Sequence, residues 1–263
     1  MIQPPDPALS WVAGATFATL AVGSVARVIG LRHSEEARRR KRLASLRTWW
    51  ILAAVVTGAL LIGPLGITVL LAAASCVAWW EFTTMLGPSP RDRPAIGAGY
   101  GLVILHYLLV LTQPFSLFVI ALPLTSLLVM AVFLLLAGEP GGYLRSAGGL
   151  LWGMMFLAYG VSHALFLFVL PQTSSGPIGP AGWFLLLIIL TESNDIFQAL
   201  IGRLFGAQKR HRIAPTVSPN KTWEGFLGGL LVTVVLALLL APWLTDLGRT
   251  PGPLPVPDSL HSG

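Results

Sequence analysis

The sequence has too little charge for a typical water-soluble domain. Only 11% of its 263 residues are charged and 54% are hydrophobic, with a mean hydropathy of +0.75. Its single cysteine, Cys76, lies in an apolar run, which excludes a disulfide framework and a cysteine metal site. The glycines of a Walker A loop are also missing. What the chain does contain is a series of apolar runs long enough to cross a bilayer.

These runs predict an all-α fold, a polytopic transmembrane helical bundle of about eight spans. We expect residues 1–245 to form one integral-membrane domain and the Pro-rich residues 246–263 to form a disordered tail. No internal repeat is evident, and GPLG at residues 63–66 predicts a tight turn. The eight predicted spans are 9–30, 49–63, 66–86, 94–111, 115–137, 144–170, 181–205 and 223–245.

The loops between these spans alternate in charge. Residues 31–47 hold seven Lys or Arg residues and residues 203–221 hold five, whereas the loops TQP and PQTSSGPIGPAG hold none. Basic loops stay cytoplasmic, so both termini are expected outside. The net charge of +6 is explained by these loops, which could also attract anionic lipid, and we expect no nucleic-acid partner. The pairs Trp49–Trp50 and Trp79–Trp80 are typical of the membrane interface.

One predicted span carries polar residues at depth. The stretch IILTESNDIFQAL contains Glu192, Asn194, Asp195 and Gln198. Glu192 lies roughly 16 Å and Asp195 roughly 21 Å along the span, and with Gln198 they share one face. Carboxylates in lipid are costly, so this face should meet protein or water. Oxygen ligands suit Mg²⁺, although a structural hydrogen-bond cluster and an ion or proton pathway stay open.

The segment after that span favours a phosphate site. A basic run begins with Lys209 and Arg210, and SPNKTWEG then resembles a helix start in which Ser218 caps and Pro219 takes the first helical position. Free N–H groups at that turn would attract an anion.

The side chains that follow Pro219 would complete this anion site. They are the Lys221 ammonium and the Thr222 hydroxyl, with Glu224 placed to hold the ammonium or to help bind a metal ion. Three further glycines should allow close helix packing. They are Gly225, Gly228 and Gly229.

Residues 194–229, NDIFQALIGRLFGAQKRHRIAPTVSPNKTWEGFLGG, resemble the phosphatidate cytidylyltransferase (CDP-diglyceride synthetase) family, in the branch that reads N-D-x-F-Q. The resemblance implies transfer of CMP from CTP to phosphatidic acid, giving CDP-diacylglycerol and pyrophosphate with Mg²⁺ as cofactor. It further implies an integral protein of the bacterial inner membrane with a cytoplasmic active face.

The resemblance implies catalytic roles for Asp195 and Lys221. Asp195 and Glu192 are the expected metal ligands. The implied substrate-binding residues are Asn194, Gln198, Lys209, Arg210, Ser218, Thr222 and Glu224.

The chain departs from the family pattern after residue 229. The family's later signature, with K-R-x-x-x-x-K-D, H-G-G and D-R-x-D, is absent, which leaves a truncated enzyme, a split enzyme and a silent relative that binds lipid or nucleotide as alternatives. A transporter is a further alternative, because His106 and His163 lie within spans. The oligomeric state is open, a homodimer included.

Overall fold

The computed structural model describes residues 7–30, 36–87, 89–112, 115–138, 141–169, 181–206 and 211–247. The all-α prediction is confirmed, since helices account for nearly all of these residues. The helices are α1 (Pro7–Gly30), α2 (Glu36–Ile62), α3 (Pro64–Leu86), α4 (Arg93–Thr112), α5 (Phe115–Leu136), α6 (Tyr143–Met154), α7 (Val161–Val169), α8 (Ala181–Phe205) and α9 (Trp223–Leu244). A 3-10 turn, Pro90–Asp92, precedes α4, and a π-helical turn, Met155–Gly160, joins α6 to α7.

Among the described residues, seven helical segments are long and apolar enough to cross a membrane. They correspond to the second to eighth predicted spans, so the protein is an integral membrane protein. The first predicted span, 9–30, lies in α1, whose apolar part is the shorter stretch Thr16–Gly30. The sixth crossing runs continuously from Tyr143 to Phe168 through the π-helical turn.

The predicted Arg-rich loop is wrong in part, because its described residues from 36 onward are helical. Helix α2 begins at Glu36 and its apolar part runs from Leu43 to Ile62. Arg, Lys, Leu and Ala are good helix formers, and an Arg40–Glu36 ion pair of 2.9 Å spans one turn. The second span is therefore longer than 49–63.

The predicted tight turn at GPLG is reduced to one residue. Gly63 adopts φ 86° and ψ −151° between α2 and α3, and Pro64 opens α3. A Cβ at Gly66 would lie 2.3 Å from the Ala59 carbonyl oxygen, so the two helices meet where only glycine fits.

The chain divides into two compact units, Met1–Val169 and Leu170–Gly263. Trp79 is central to the first unit: it is fully buried, and its indole N–H donates to the Ile96 carbonyl at 3.1 Å. Its predicted place at the membrane interface is therefore wrong, because the ring packs against Gly99 and Gly153, where a Cβ would collide. Its neighbour Trp80 is exposed.

The second unit is a helix pair joined by a hairpin. The two short strands are β1 (Arg212–Ala214) and β2 (Ser218–Thr222), which pair antiparallel with a register shift. Helices α8 and α9 pack more extensively than any other pair of described elements. At the far end of the pair, the Trp183 indole N–H donates to Asp246 at 2.9 Å.

Candidate functional site

The hairpin sets where α9 begins. The Trp223 N–H donates to the His211 carbonyl at 2.9 Å, which closes the hairpin just before the helix. Thr222 is extended, with φ −120° and ψ 155°, and its hydroxyl accepts from the Gly225 N–H at 3.2 Å. Thr222 is therefore the N-cap of α9.

The predicted helix start at Ser218 is wrong by four residues. Ser218 opens strand β2 opposite Ala214, and Pro219 lies within that strand. Pairing with β1 keeps SPNKT extended, which overrides the local preference of Ser and Pro for a helix start. The cap passes to Thr222, the next hydroxyl residue.

Glycines bring α8 and α9 into close contact beside this cap, as predicted from Gly225, Gly228 and Gly229. A Cβ at Gly225 would lie 2.6 Å from the Gln198 carbonyl oxygen, and one at Gly229 would lie 2.4 Å from Gln198 Cγ. On the opposite helix, a Cβ at Gly202 would lie 3.1 Å from the Thr222 hydroxyl oxygen. The polar part of α8 is thereby held against the first turns of α9.

The strand β2 places Lys221 against the polar face of α8. The Lys221 ammonium lies 3.5 Å from Asp195 Oδ1 and donates to Gln198 Oε1 at 3.4 Å. The side chains of Lys221 and Asp195 are 49% and 78% exposed, so an incoming ligand can reach both. Three of the predicted site residues, more than twenty positions apart in the chain, thus form one cluster.

The remaining predicted residues lie around this cluster in different ways. Glu192 is half-buried and has no hydrogen-bond or ion-pair partner in the described part of the chain. Asn194 is half-buried, and its Oδ1 is a buried acceptor without a partner among the described residues. Lys209 and Arg210 lie outside the described residues.

The Glu224 carboxylate does not hold the Lys221 ammonium. Its Oε1 contacts His211 Nδ1 at 2.5 Å, while its Oε2 is a buried acceptor with no partner in the part of the chain that is described. Sequence reasoning did not single out His211, because only the hairpin register brings it beside Glu224. A His followed thirteen residues later by Glu carries no signal of its own.

Protein acceptors already occupy part of the predicted anion site at the helix start. The N–H groups of Trp223 and Gly225 bond to His211 and Thr222. The positive group left facing the polar helix is the Lys221 ammonium, which has three donors and shares them with two acceptors here. An anion would meet this ammonium first.

The cytidylyltransferase family profile matches residues 43–252, well over half of the chain. The chain belongs to the cytidylyltransferase family. The match includes the polar face of α8, the hairpin and α9. No solved structure matches the chain.

Named relatives of this cytidylyltransferase family chain agree with that assignment. It is 35% identical over 204 residues to the uncharacterized protein YnbB of Escherichia coli K12, covering 77% of this chain and 64% of that protein. It is 30% identical over 119 residues to a phosphatidate cytidylyltransferase of Mycobacterium tuberculosis H37Rv, covering 44% and 31%. With a phosphatidate cytidylyltransferase of Chlamydia trachomatis it is 36% identical over 101 residues, covering 37% and 31%. The chain therefore spans less than two thirds of YnbB and about a third of these two enzymes.

The acceptors of this cytidylyltransferase chain fit a magnesium ion that arrives with a nucleotide. Among the described residues, no group of three or more His, Cys, Asp or Glu side chains comes together. Mg²⁺ is commonly held by one or two carboxylates together with substrate phosphates, so a complete protein cage is not required. Asp195 supplies an accessible carboxylate, and the unpartnered oxygens of Asn194 and Glu224 are further acceptors.

Proposed function

We propose that this chain transfers CMP from CTP to phosphatidic acid, releasing pyrophosphate and forming CDP-diacylglycerol. The observation that carries the proposal is the Lys221 ammonium held between Asp195 and Gln198, in a chain of the cytidylyltransferase family. An accessible cation beside an accessible carboxylate is the pairing that metal-assisted phosphoryl chemistry uses.

In the proposed reaction, a phosphate oxygen of the lipid attacks the α-phosphorus of CTP. The bond between the α-phosphorus and the bridging oxygen breaks, and pyrophosphate leaves with that oxygen. Lys221 binds the triphosphate through its ammonium and stabilises the negative charge that develops on the leaving group. Asp195 and Gln198 orient that ammonium.

A magnesium ion, when bound, would neutralise charge on the attacking and leaving oxygens. Asp195 is the proposed ligand, with Glu192 one turn earlier on the same face as a second. Asn194, Ser218, Thr222 and Glu224 keep their proposed substrate-binding roles, as do Lys209 and Arg210 in the basic run.

We place the reaction at the cytoplasmic face of a bacterial inner membrane. Positively charged loops stay on that side, and the chain's two most basic stretches, 31–47 and 203–221, are on one side of the predicted topology. The lipid acceptor then stays in the bilayer while CTP arrives from water. A homodimer is an open part of the proposal, which the mass of the purified particle would test.

A silent relative that binds nucleotide without turnover is the second candidate. It is favoured by one observation, the lack of a group of three metal-binding side chains among the described residues. A transporter is less well supported, because the two histidines that suggested it bond to their own helices. His106 Nδ1 is 2.7 Å from the Leu102 carbonyl and His163 Nδ1 is 2.7 Å from the Tyr159 carbonyl.

The test supplies purified protein with CTP, Mg²⁺ and phosphatidic acid and measures lipid-linked cytidine. Asp195→Asn and Lys221→Ala should each lower the rate by about 100-fold or more. Asp246→Asn is the matched control, since it makes the same change at the other end of the α8–α9 pair and should leave the rate unchanged. Full activity in either site variant removes that residue from the chemistry, and CTP binding without product would support the silent relative.

A further inference from the structure

The first unit contains a cavity of about 280 Å³ where α3 and α5 end and α4 and α6 begin. It combines two guanidinium groups, a buried carboxylate and an apolar wall. The lining residues that matter here are Leu86, Arg91, Asp92, Leu134, Arg145 and Ser146.

The carboxylate of Asp92 holds the wall of this cavity together. Asp92 is 6% exposed, and its Oδ2 accepts from the Ser89 N–H at 2.9 Å and from the Ser146 hydroxyl at 2.8 Å. Because Ser89 precedes α4 and Ser146 belongs to α6, these bonds tie two neighbouring segments together. The cavity is therefore preformed, and its carboxylate already has donors from the protein.

The remaining charge on the wall is positive. Arg91 and Arg145 are exposed side chains that line the cavity, so with Asp92 the three charged lining residues sum to one net positive charge. The first residues of α6 also line it, and Gly142 before them makes no side-chain cap bond. Guanidinium groups suit phosphate oxygens, which they bind in pairs of parallel hydrogen bonds.

The apolar part of the cavity is continuous with surface that faces lipid in a membrane protein. Leu134 is buried in the wall, while the adjacent Leu135 and Leu136 are 66% and 78% exposed. Next to the lining residues Leu86 and Arg145, Met85 and Leu144 are similarly exposed. A ligand lodged here would have its anionic group on the arginines and its apolar group along these side chains.

We propose that this cavity binds the headgroup of an anionic phospholipid, with the lipid phosphate on Arg91 and Arg145 and the acyl chains on the exposed apolar surface. The site is separate from the proposed cytidylyl transfer and does not depend on it. A soluble phosphate ester would share the arginines but could not use the apolar surface, so the two sources can be told apart.

The experiment measures binding of short-chain phosphatidylglycerol to the full chain in neutral detergent, by native mass spectrometry. Phosphatidylglycerol is used because it is not the proposed acceptor lipid. The variants are Arg145→Gln and the double variant Arg91→Gln/Arg145→Gln. The matched control is Arg93→Gln, an exposed arginine at the start of α4 that does not line the cavity.

The double variant should weaken binding by about tenfold or more, because two charge-assisted contacts are lost, and Arg145→Gln alone should lose part of this. Wild-type protein and the Arg93→Gln and Asp195→Asn proteins should bind alike, and phosphatidylcholine and glycerol 3-phosphate should bind more weakly. Equal binding by the double variant, an equal loss in Arg93→Gln, or equal affinity for phosphatidylcholine would overturn the site. Glycerol 3-phosphate binding as tight as the lipid would overturn the assignment to a lipid.

Discussion

Lys221 approaches two acceptors of helix α8 at once, Asp195 Oδ1 at 3.5 Å and Gln198 Oε1 at 3.4 Å. The acceptors are one turn apart on α8, and the ammonium comes from the strand that follows. The hairpin thus delivers a cation to a polar helix face that the helix sequence alone could not neutralise.

The Lys221–Asp195 pair should matter for activity and little for stability. Both side chains are about half exposed or more, and exposed ion pairs contribute about 0–1 kcal/mol. Asp195→Asn should therefore change the free energy of unfolding in mixed micelles by less than about 1 kcal/mol, while cytidylyl transfer falls steeply. A large loss of stability would instead make the pair a structural cluster between helices, the alternative that the polar stretch left open.

Gly225 is expected to tolerate no side chain, because the backbone of α8 occupies the space. A Cβ there would lie 2.6 Å from the Gln198 carbonyl oxygen and 3.0 Å from Gly202 Cα. Gly225→Ala should cost about 1–3 kcal/mol of unfolding free energy, and should reduce activity because Lys221 moves away from α8. Gly148→Ala is the control, since a Cβ at Gly148 meets nothing within 4 Å, and its stability should not fall.

The cap on α9 can be tested with an isosteric change. Thr222→Val removes the hydroxyl that accepts from the Gly225 N–H and keeps the side-chain volume, so stability should fall by about 1 kcal/mol. Thr222→Ser should keep most of it. The control is Thr191→Val, which removes a hydroxyl that bonds only to a carbonyl one turn back in α8. Equal losses in the two Val variants would show that the cap contributes nothing special.

Much of the fold could be predicted because its signal is local. Apolar length sets the spans, and Gly63 with Pro64 marks a turn within a few residues. The first part of α2 was missed because its charge was taken for a loop, although Arg, Lys and Ala favour helix. Trp79 was misassigned because an aromatic residue near a span end does not reveal whether it faces lipid or the core.

The site was predictable only in part, for a physical reason. Asp195, Gln198 and Lys221 could be named individually, since buried polar residues and a basic loop stand out in an apolar chain. Their contact depends on hairpin pairing between Arg212 and Thr222, which is not a periodic pattern. The same pairing moved the helix start from Ser218 to Thr222.

The Asp92 cluster in the first unit should be a stability element whose parts are not additive. Ser146→Ala removes one donor to the buried carboxylate and should cost about 0.5–1.5 kcal/mol. Asp92→Ala leaves two donors without their acceptor and should cost more. Because the two residues share one bond, the double variant should lose less than the sum of the single losses. Ser89→Ala is the matched control, since Ser89 bonds to Asp92 through its backbone N–H, which alanine keeps. Unfolding free energies of the four variants decide the matter: a loss in Ser89→Ala as large as that in Ser146→Ala, or full additivity of the double variant, would contradict the proposed clamp and with it the preformed wall of the cavity.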